Sequence, residues 1–327
     1  MIPVIPKNAK RYYDLNTFLR HHFGCKVHKI VIDAGFTCPN RDGRVATGGC
    51  IYCHEGSGHS TLGSAYPVRE QLVRGREYLR ERTGAQKFIA YFQRYTNTYA
   101  PVEILKGLYN EALSVEDVVG LSIGTRPDCV SDPVLDLLEG YARYYHVWIE
   151  YGLQSIHERT LRLINRGHGP EAFIDAVRRA KGRGIYIGAH VILGLPGETR
   201  EDMLETARAI AALGLDGIKI HLLYVLRGTV LETMYNRGDF EVLRIEEYVK
   251  LVCDFLELLP KTMVIHRLTG DAPKDLLVAP LWSLNKLQVL NEIERELERR
   301  GSCQGKKYND RKESIVGANV PVRPEPM

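Results

Sequence analysis

The sequence lacks any long hydrophobic run. No apolar stretch approaches the 18 residues that a membrane-spanning helix needs. It also lacks a secreted disulfide framework, because its seven cysteines are an odd number and are mostly scattered over 327 residues. The formal net charge is only +4, and the 44% of hydrophobic residues can bury one large core or two modest ones. We therefore expect a cytoplasmic protein with no membrane partner.

Positive charge is concentrated near the N-terminus. Residues 1–30 hold six Lys or Arg and one Asp, a local charge of +5, with four aromatic residues between them. This mixture suits contact with phosphates and stacking on bases. The alternative is an amphipathic helix over residues 11–23 whose aromatic side chains cover the edge of the fold. The cations are Lys7, Lys10, Arg11, Arg20, Lys26 and Lys29, and the aromatic residues are Tyr12, Tyr13, Phe18 and Phe23.

Strand and helix patterns alternate along the chain. After the first interval, short β-branched or aromatic runs recur about every 30 to 40 residues, which is the length of a βα unit. Parallel strands with right-handed crossovers would curve into a partly open barrel. Because six such units are visible, we predict an α/β fold with a partial (βα)6 barrel. The predicted strands begin near Lys29, Lys87, Val118, Val147, Ile185 and Gly217, and the predicted helices cover residues 67–82, 102–113, 133–144, 170–183 and 200–213.

The loop after the first predicted strand carries Cys38, Cys50 and Cys53. Eleven residues separate the first two cysteines, and two residues separate the last two. Thiolates are soft ligands that suit iron–sulfur clusters and zinc, and cysteines at the shorter spacing can bind one centre. Glycines in the longer interval would let the backbone turn back. Three close ligands without a fourth indicate a cluster with one open iron.

The same cysteines allow other interpretations. The run from Cys50 to His54 matches the C-x-x-C-H pattern of covalent haem attachment, although such sites are usually exported and we find no secretory leader pattern. A zinc ion could bind the three cysteines and His54, since three cysteines and one histidine form an accepted structural set. A purely structural role for the three cysteines is the remaining alternative.

Polar residues lie within or just after the later strands. Strands of a parallel sheet are usually apolar on both faces, and burying an ionisable group costs several kcal/mol unless it is paired. We therefore expect these side chains to point into a site inside the barrel. The ionisable groups within strands are Glu150, His190, Lys219 and His221, and the polar residues at the strand ends include Gln93, Arg126 and Gln154.

Together these features resemble radical S-adenosylmethionine (radical SAM) enzymes. The shared features are the three-cysteine loop, the aromatic Tyr52 before the last cysteine, the six βα units and the VILGLPGE run. The C-x11-C-x2-C spacing and the motifs YFQ, GTRPD, GLQS, NRGH and RLTGD are more closely similar to the YtqA/YhcC-like branch, which is related to the radical SAM part of the elongator catalytic subunit. The resemblance runs from about Arg11 to Tyr308. The common cluster loop is C-x3-C-x2-C, and Gln93 stands where many relatives have a Gly-Gly-Glu signature.

The resemblance implies a [4Fe-4S] cluster on Cys38, Cys50 and Cys53, with S-adenosylmethionine bound to the open iron. Reductive cleavage of that molecule would produce a 5′-deoxyadenosyl radical that abstracts hydrogen from a substrate. No catalytic residue is identified, and Lys219 and His221 are the candidates. The implied cofactor-binding residues are Tyr52, Gln93, Arg126, Glu150, Gln154, His190, Gly194 and Gly197.

We expect four segments along the chain. The first is a basic, aromatic N-terminal helical extension, the second is the radical SAM barrel, the third is a C-terminal extension that covers the barrel mouth on the substrate side, and the fourth is a disordered tail. They cover residues 1–28, 29–226, 227–315 and 316–327. Within the third segment we predict an irregular stretch over 227–239, helices over 245–259 and 281–300, and a short added strand over 264–268.

The elongator-like resemblance and the basic N-terminus favour tRNA as the substrate, with the carbon-5 side chain of a wobble uridine as the target. Anticodon loops offer unstacked bases, which a buried radical site requires. The implied partners are tRNA, a reductase or flavodoxin-type electron donor, and a separate tRNA methyltransferase. One alternative is a radical SAM enzyme that acts on a small metabolite or a protein side chain. The other, from a different class, is a non-catalytic metal- or RNA-binding protein.

Overall fold

The computed structural model describes residues 10–54 and 63–309. These residues form nine strands in two sheets. The strands are β1 (Val27–Ile32), β2 (Lys87–Phe92), β3 (Val118–Thr125), β4 (His146–Gln154), β5 (Tyr186–Leu193), β6 (Gly217–Leu222), β7 (Val225–Leu226), β8 (Val264–Arg267) and β9 (Leu277–Ala279). The larger sheet is parallel in the order β1–β2–β3–β4–β5–β6–β8, and β7 pairs with β9 in the antiparallel direction.

Helices between the parallel strands pack on the outer face of the larger sheet, one further helix precedes β1, and another follows β9. They are α1 (Leu15–Phe23), α2 (Val68–Thr83), α3 (Val102–Leu113), α4 (Asp132–Ala142), α5 (Glu158–Leu163), α6 (Pro170–Ala180), α7 (Arg200–Ala212), α8 (Val230–Asn236), α9 (Ile245–Leu258) and α10 (Lys286–Arg299). None of the helices in this described part of the chain is long and apolar enough to cross a membrane.

The two faces of the curved sheet differ in chemistry. Successive residues of a strand point to opposite faces. On β4, Ile149 and Tyr151 belong to the main hydrophobic core, whereas Glu150 between them bonds to Ser122 of β3. The outer face therefore supplies the apolar core against the helices. The inner face is free to carry the polar residues of a site.

The predicted curved, partial α/β barrel is confirmed. All six predicted βα units are present, and the predicted added strand is β8, which pairs in parallel with β6 and extends the sheet to seven strands. The first strand begins at Val27, two residues before the predicted start. The proposed segment boundaries remain predictions, and the predicted tail over 316–327 lies outside the described residues.

Two local predictions were wrong, and one short helix was missed. The helix predicted over residues 11–23 begins at Leu15, because the side chain of Asp14 caps it by accepting a hydrogen bond from the Thr17 N–H at 2.8 Å. The stretch over 227–239 was predicted to be irregular but contains α8, which Thr229 caps. The short helix α5 was not predicted.

The aromatic side chains of the N-terminal segment pack on the barrel. The ring centroid of Phe18 lies 5.9 Å from that of Trp148 and 5.6 Å from that of Tyr186. Arg11 donates to the Ser302 carbonyl at 3.3 Å, next to the end of α10. This segment therefore matches the alternative considered above, a helix whose aromatics cover the fold, and the ring of Phe18 packs against aromatic side chains of the barrel.

Candidate active site

The three-cysteine loop leaves the end of β1 and folds back on itself. Three glycines between Cys38 and Cys50 have φ values of 92°, 78° and 81°, a region that glycine enters without strain. Both of these cysteines are buried, and Cys53 is half-buried. The Cys53 N–H donates to the Cys50 carbonyl at 2.8 Å, which closes the last turn of the loop.

The NRGH motif holds this loop in place. Asn165 Nδ2 donates to the Gly49 carbonyl at 2.8 Å, and Asn40 Nδ2 donates to the Asn165 carbonyl at 2.6 Å. Gly167 has a φ of 75°, and a Cβ atom there would lie 2.6 Å from Asn40 Oδ1. A larger residue would push the loop away, so the glycine of this motif is required by close approach.

Two of the three cysteine sulfurs face N–H donors. Asn40 Nδ2 and Arg166 Nη1 lie 3.6 and 3.7 Å from Cys50 Sγ. Arg41 Nη1 lies 3.6 Å from Cys53 Sγ. Such donors orient thiolate ligands and tune the metal centre that they hold. The motif that contains Arg166 is visible in the sequence, but the roles of these three donors are not, because nothing in their local spacing places them beside sulfur.

The spacing of the cysteine sulfurs argues against a single zinc ion. Tetrahedral zinc with bonds of about 2.3 Å to sulfur would hold its ligand atoms about 3.8 Å apart. Among the described residues, the one group of three His, Cys, Asp or Glu ligand atoms within 4.8 Å of one another is His157, Asp202 and Glu205. The cysteines and His54 do not form such a group. Thiolates that each bind a different iron of a cluster need no such closeness, so the donor set fits a [4Fe-4S] cluster.

A cavity of about 230 Å³ lies beside the cysteines, and we call it the cluster cavity. It brings together six of the eight residues predicted to bind the cofactor. They are Tyr52, Gln93, Arg126, Glu150, Gln154 and His190. The other two, Gly194 and Gly197, do not line it; a Cβ atom at these positions would contact Leu243 and Leu163 instead. The roles of all eight remain predictions.

Arg126 is engaged with protein groups. Its guanidinium donates to both carboxylate oxygens of Asp128, at 2.9 and 2.7 Å, and to the Arg166 carbonyl at 2.8 Å. The side chain is 2% exposed. It borders the cluster cavity, and these bonds join the GTRPD motif to the NRGH motif.

Glu150 is the centre of a buried ionic network. Its carboxylate lies 2.6 Å from Lys29 Nζ, 2.5 Å from Lys219 Nζ and 2.8 Å from His190 Nε2. Burial alone would raise the pKa of Glu150, but the two lysines and the histidine hold it well below its usual value. The carboxylate is therefore charged. It pairs with lysine side chains whose charge would otherwise be costly to bury inside the barrel.

Burial lowers the pKa values of the lysine and histidine side chains in this network. It lowers the pKa of Lys219 to about 7, although the attraction of Glu150 opposes the shift. It lowers the pKa of His190 to about 4 and that of His266 to about 3, and nearby lysines add to both shifts. His266, whose Nδ1 lies 3.5 Å from Lys29 Nζ, is a member of the network that the sequence analysis missed.

The position of Lys29 corrects one prediction. The sequence places Lys29 among the N-terminal cations that are predicted to contact tRNA phosphates. Its side chain is only 11% exposed and points into the barrel toward Glu150 and Ser122. Lys7, from the same group, lies outside the described residues.

A second cavity of about 410 Å³ adjoins the first, and we call it the upper cavity. Tyr52, Gln93, Gln154 and His190 line both cavities. His221 also lines the upper cavity, whereas Lys219 does not. The last residue of β8 and the loop after it contribute further residues from the RLTGD motif, so the C-terminal region forms part of the wall of this cavity. They are Arg267, Gly270 and Asp271.

Comparison with known proteins identifies the family. Residues 41–210 match the sequence pattern of the Radical SAM superfamily, and residues 215–299 match that of the Radical_SAM C-terminal domain. The chain belongs to the radical SAM superfamily. It is an enzyme family that uses a [4Fe-4S] cluster and S-adenosylmethionine, and these are the cofactors of this chain. The resemblance found in the sequence is confirmed.

Individual relatives agree with this assignment. The chain is 48% identical over 298 residues to the uncharacterized protein YtqA of Bacillus subtilis, covering 91% of this chain and 92% of that protein. It is 32% identical over 165 residues to the tRNA uridine(34) acetyltransferase of Methanocaldococcus infernus, covering 49% of this chain and 30% of that protein. The solved structure of the archaeal Methanocaldococcus infernus Elp3 has a TM-score of 0.65 at 22% identity, over 85% of this chain and 64% of that one, which shows a shared fold.

Proposed function

We propose that this radical SAM enzyme modifies tRNA and acts on the carbon-5 side chain of a wobble uridine. The observation that carries the proposal is the match of half of the chain to a protein named as a tRNA uridine(34) acetyltransferase. The matching region includes the radical SAM part of this chain, so the chemistry of the two proteins has a common starting point. The basic residues near the N-terminus add support, because Lys10 and Arg20 are exposed.

The cysteine loop and the barrel have separate tasks in this proposal. Cys38, Cys50 and Cys53 would hold the cluster, which when bound would supply one electron to break the sulfonium C–S bond of S-adenosylmethionine and give methionine and a 5′-deoxyadenosyl radical. Tyr52 and Gln154, which line both the cluster cavity and the upper cavity, would contact S-adenosylmethionine. A reductase or flavodoxin-type protein supplies the electron. A separate tRNA methyltransferase is a further partner of the same modification.

The upper cavity receives the target group. Its volume of about 410 Å³ lies within the range of about 300–1,000 Å³ that is typical of small-molecule sites, so a single unstacked base with its side chain can occupy it. An anticodon loop presents such a base at low cost. His221, on the wall of this cavity, is the candidate for proton transfer to or from the substrate. Lys219 does not line this cavity and instead pairs with Glu150.

The experiment is mass spectrometry of tRNA nucleosides from cells with and without the gene. We expect one wobble-uridine derivative to disappear and its precursor to accumulate, and the purified protein with its reconstituted cluster should convert that precursor. An unchanged nucleoside profile would contradict a role in tRNA modification. In that case turnover of S-adenosylmethionine by the reduced protein would point to a small metabolite or a protein side chain, and its absence would point to a non-catalytic binding protein.

A further inference from the structure

A third cavity, of about 500 Å³, opens at the gap between the first and last strands of the parallel sheet. We call it the side cavity. Its walls come from α1, β1, β8 and α10, and it shares Val31, Gln93 and Arg267 with the upper cavity. Gln93 also borders the cluster cavity. A group bound in the side cavity would therefore be a neighbour of a group bound in the upper cavity, which in turn adjoins the cluster cavity.

The side cavity has more positive than negative charge. Five cationic side chains line it, and three carboxylates form ion pairs with them. Lys10 pairs with Asp14 at 3.0 Å, whereas two shared carboxylates serve the other four cations. Glu150 is shared by Lys29 and Lys219, and Asp271 is shared by Arg267 and Lys286, at 3.1 and 2.8 Å. Among the described residues, five basic side chains therefore share three carboxylates, so the walls carry more basic than acidic groups.

Two of these basic side chains are buried deep in the cavity, and two others stand at its opening. Lys29 and Lys219 have side-chain exposures of 11% and 8%, so water screens them poorly. Arg267 and Lys286 are 29% and 42% exposed and stand at the opening. An anion placed between the buried lysines and the residues at the opening would be attracted by both. The N–H donors of these side chains would offset the cost of removing the anion from water.

We propose that the side cavity binds a phosphate group of the RNA substrate, held at the opening by Arg267 and Lys286, next to the nucleotide whose base enters the upper cavity. This inference rests on the proposed function, because it takes the substrate to be RNA. A phosphate there fixes the distance between the RNA backbone and the reacting base, and it reads no base identity. Because Arg267 and Gln93 line both the side cavity and the upper cavity, the phosphate and the base of neighbouring parts of one RNA strand can occupy the two cavities.

The test compares Arg267→Gln, Lys286→Gln and the double variant with Arg295→Gln. Arg295 is a matched control, since it is on the same helix as Lys286 but is 71% exposed and pairs with Glu292 outside the cavity. Binding of an anticodon stem-loop RNA is measured by fluorescence anisotropy at several salt concentrations, using the full chain with its cluster. Each lost phosphate contact should flatten the log–log salt slope by about 0.7, and the control should leave the slope unchanged.

A second measurement locates the phosphate. The RNA is made as a set in which one linkage at a time is a neutral methylphosphonate. We expect the unmodified protein to lose severalfold affinity at one or two linkages next to the wobble position, and the double variant to be insensitive at those same linkages. Equal sensitivity of both proteins at every linkage, with RNA still bound, would overturn the side-cavity proposal alone. Absence of RNA binding by the unmodified protein even at low salt would overturn both this inference and the proposed function.

Discussion

Lys219 Nζ lies 2.5 Å from the Glu150 carboxylate inside the barrel, and both side chains are at most 8% exposed. The same carboxylate also pairs with Lys29 at 2.6 Å. Two lysine side chains and one carboxylate are thus buried together next to the cluster cavity, which Glu150 lines. Removing one member of such a group leaves uncompensated charge away from water, so a substitution in this network should lower the free energy of unfolding strongly.

Glu150→Gln should destabilise the protein strongly. The amide keeps the shape of the side chain but leaves Lys29 and Lys219 without their counter-ion, and breaking a buried pair in this way costs about 3–5 kcal/mol. Urea denaturation should show this loss in the free energy of unfolding. Glu205→Gln, at a half-exposed carboxylate of α7, is the control and should change it little. A loss of less than about 1 kcal/mol in Glu150→Gln would mean that water reaches the network.

Stability should depend on pH through Lys219. Burial lowers the pKa of Lys219 to about 7 from the ordinary value of 10.5, so between these values the unfolded chain binds more protons than the folded chain. The contribution of this lysine to the free energy of unfolding therefore rises with pH across that window. The free energy of unfolding of the unmodified protein, minus that of Lys219→Met, should increase from the lower to the upper value. Lys250→Met, at an exposed site, should show no such trend. A difference that stays constant would contradict the assignment.

The cluster should become harder to reduce in Arg166→Gln. A positive charge and an N–H donor at 3.7 Å from Cys50 Sγ stabilise the extra negative charge of the reduced cluster, so their removal should lower the reduction potential. A charged hydrogen bond worth about 1.5 kcal/mol corresponds to a shift on the order of 60 mV for one electron. A redox titration followed by EPR measures it. Arg162→Gln, 78% exposed on α5, is the control, and an equal potential in both variants would argue against the contact.

Cluster binding should depend on three cysteines and no others. Anaerobic reconstitution should give about four iron and four sulfide per chain, and Cys38→Ala, Cys50→Ala and Cys53→Ala should each abolish binding. Cys303→Ala, at a half-buried cysteine near the C-terminus, should not. Iron and sulfide analysis with visible spectra distinguishes the cases. Recovery of zinc in place of iron, or a haem absorption band, would contradict the cluster.

Gln154→Gly should separate cofactor binding from stability. Gln154 has a φ of 75° at the end of β4, a conformation that costs a residue with a side chain about 1 kcal/mol or more and costs glycine little. The substitution should therefore leave the free energy of unfolding unchanged or raise it. It should weaken binding of S-adenosylmethionine about tenfold, because Gln154 lines both the cluster and upper cavities. Equilibrium dialysis of the protein with its cluster measures the affinity. Unchanged affinity would remove Gln154 from the cofactor site.

The sequence by itself determined the alternation of strands and helices and the three-cysteine loop. Both are local: the strand period places residues such as Glu150 and Ile149 on opposite faces, and the Cys50–Cys53 spacing is set by the chain. The same local reasoning identified Glu150, His190 and Lys219 as unusual, because each is ionisable within an apolar run.

Only the tertiary structure decided which of these residues meet. Lys29 reaches Glu150 across 121 positions of the chain, and Arg166 reaches Cys50 across 116. Such contacts depend on the curvature of the sheet and on where a connecting loop docks, which no local period encodes. For that reason the sequence left Lys29 among the surface cations and gave Arg166 no role. The curvature of the sheet turned the first into a buried partner of Glu150, and the docking of the loop after α5 turned the second into a donor to a cluster ligand.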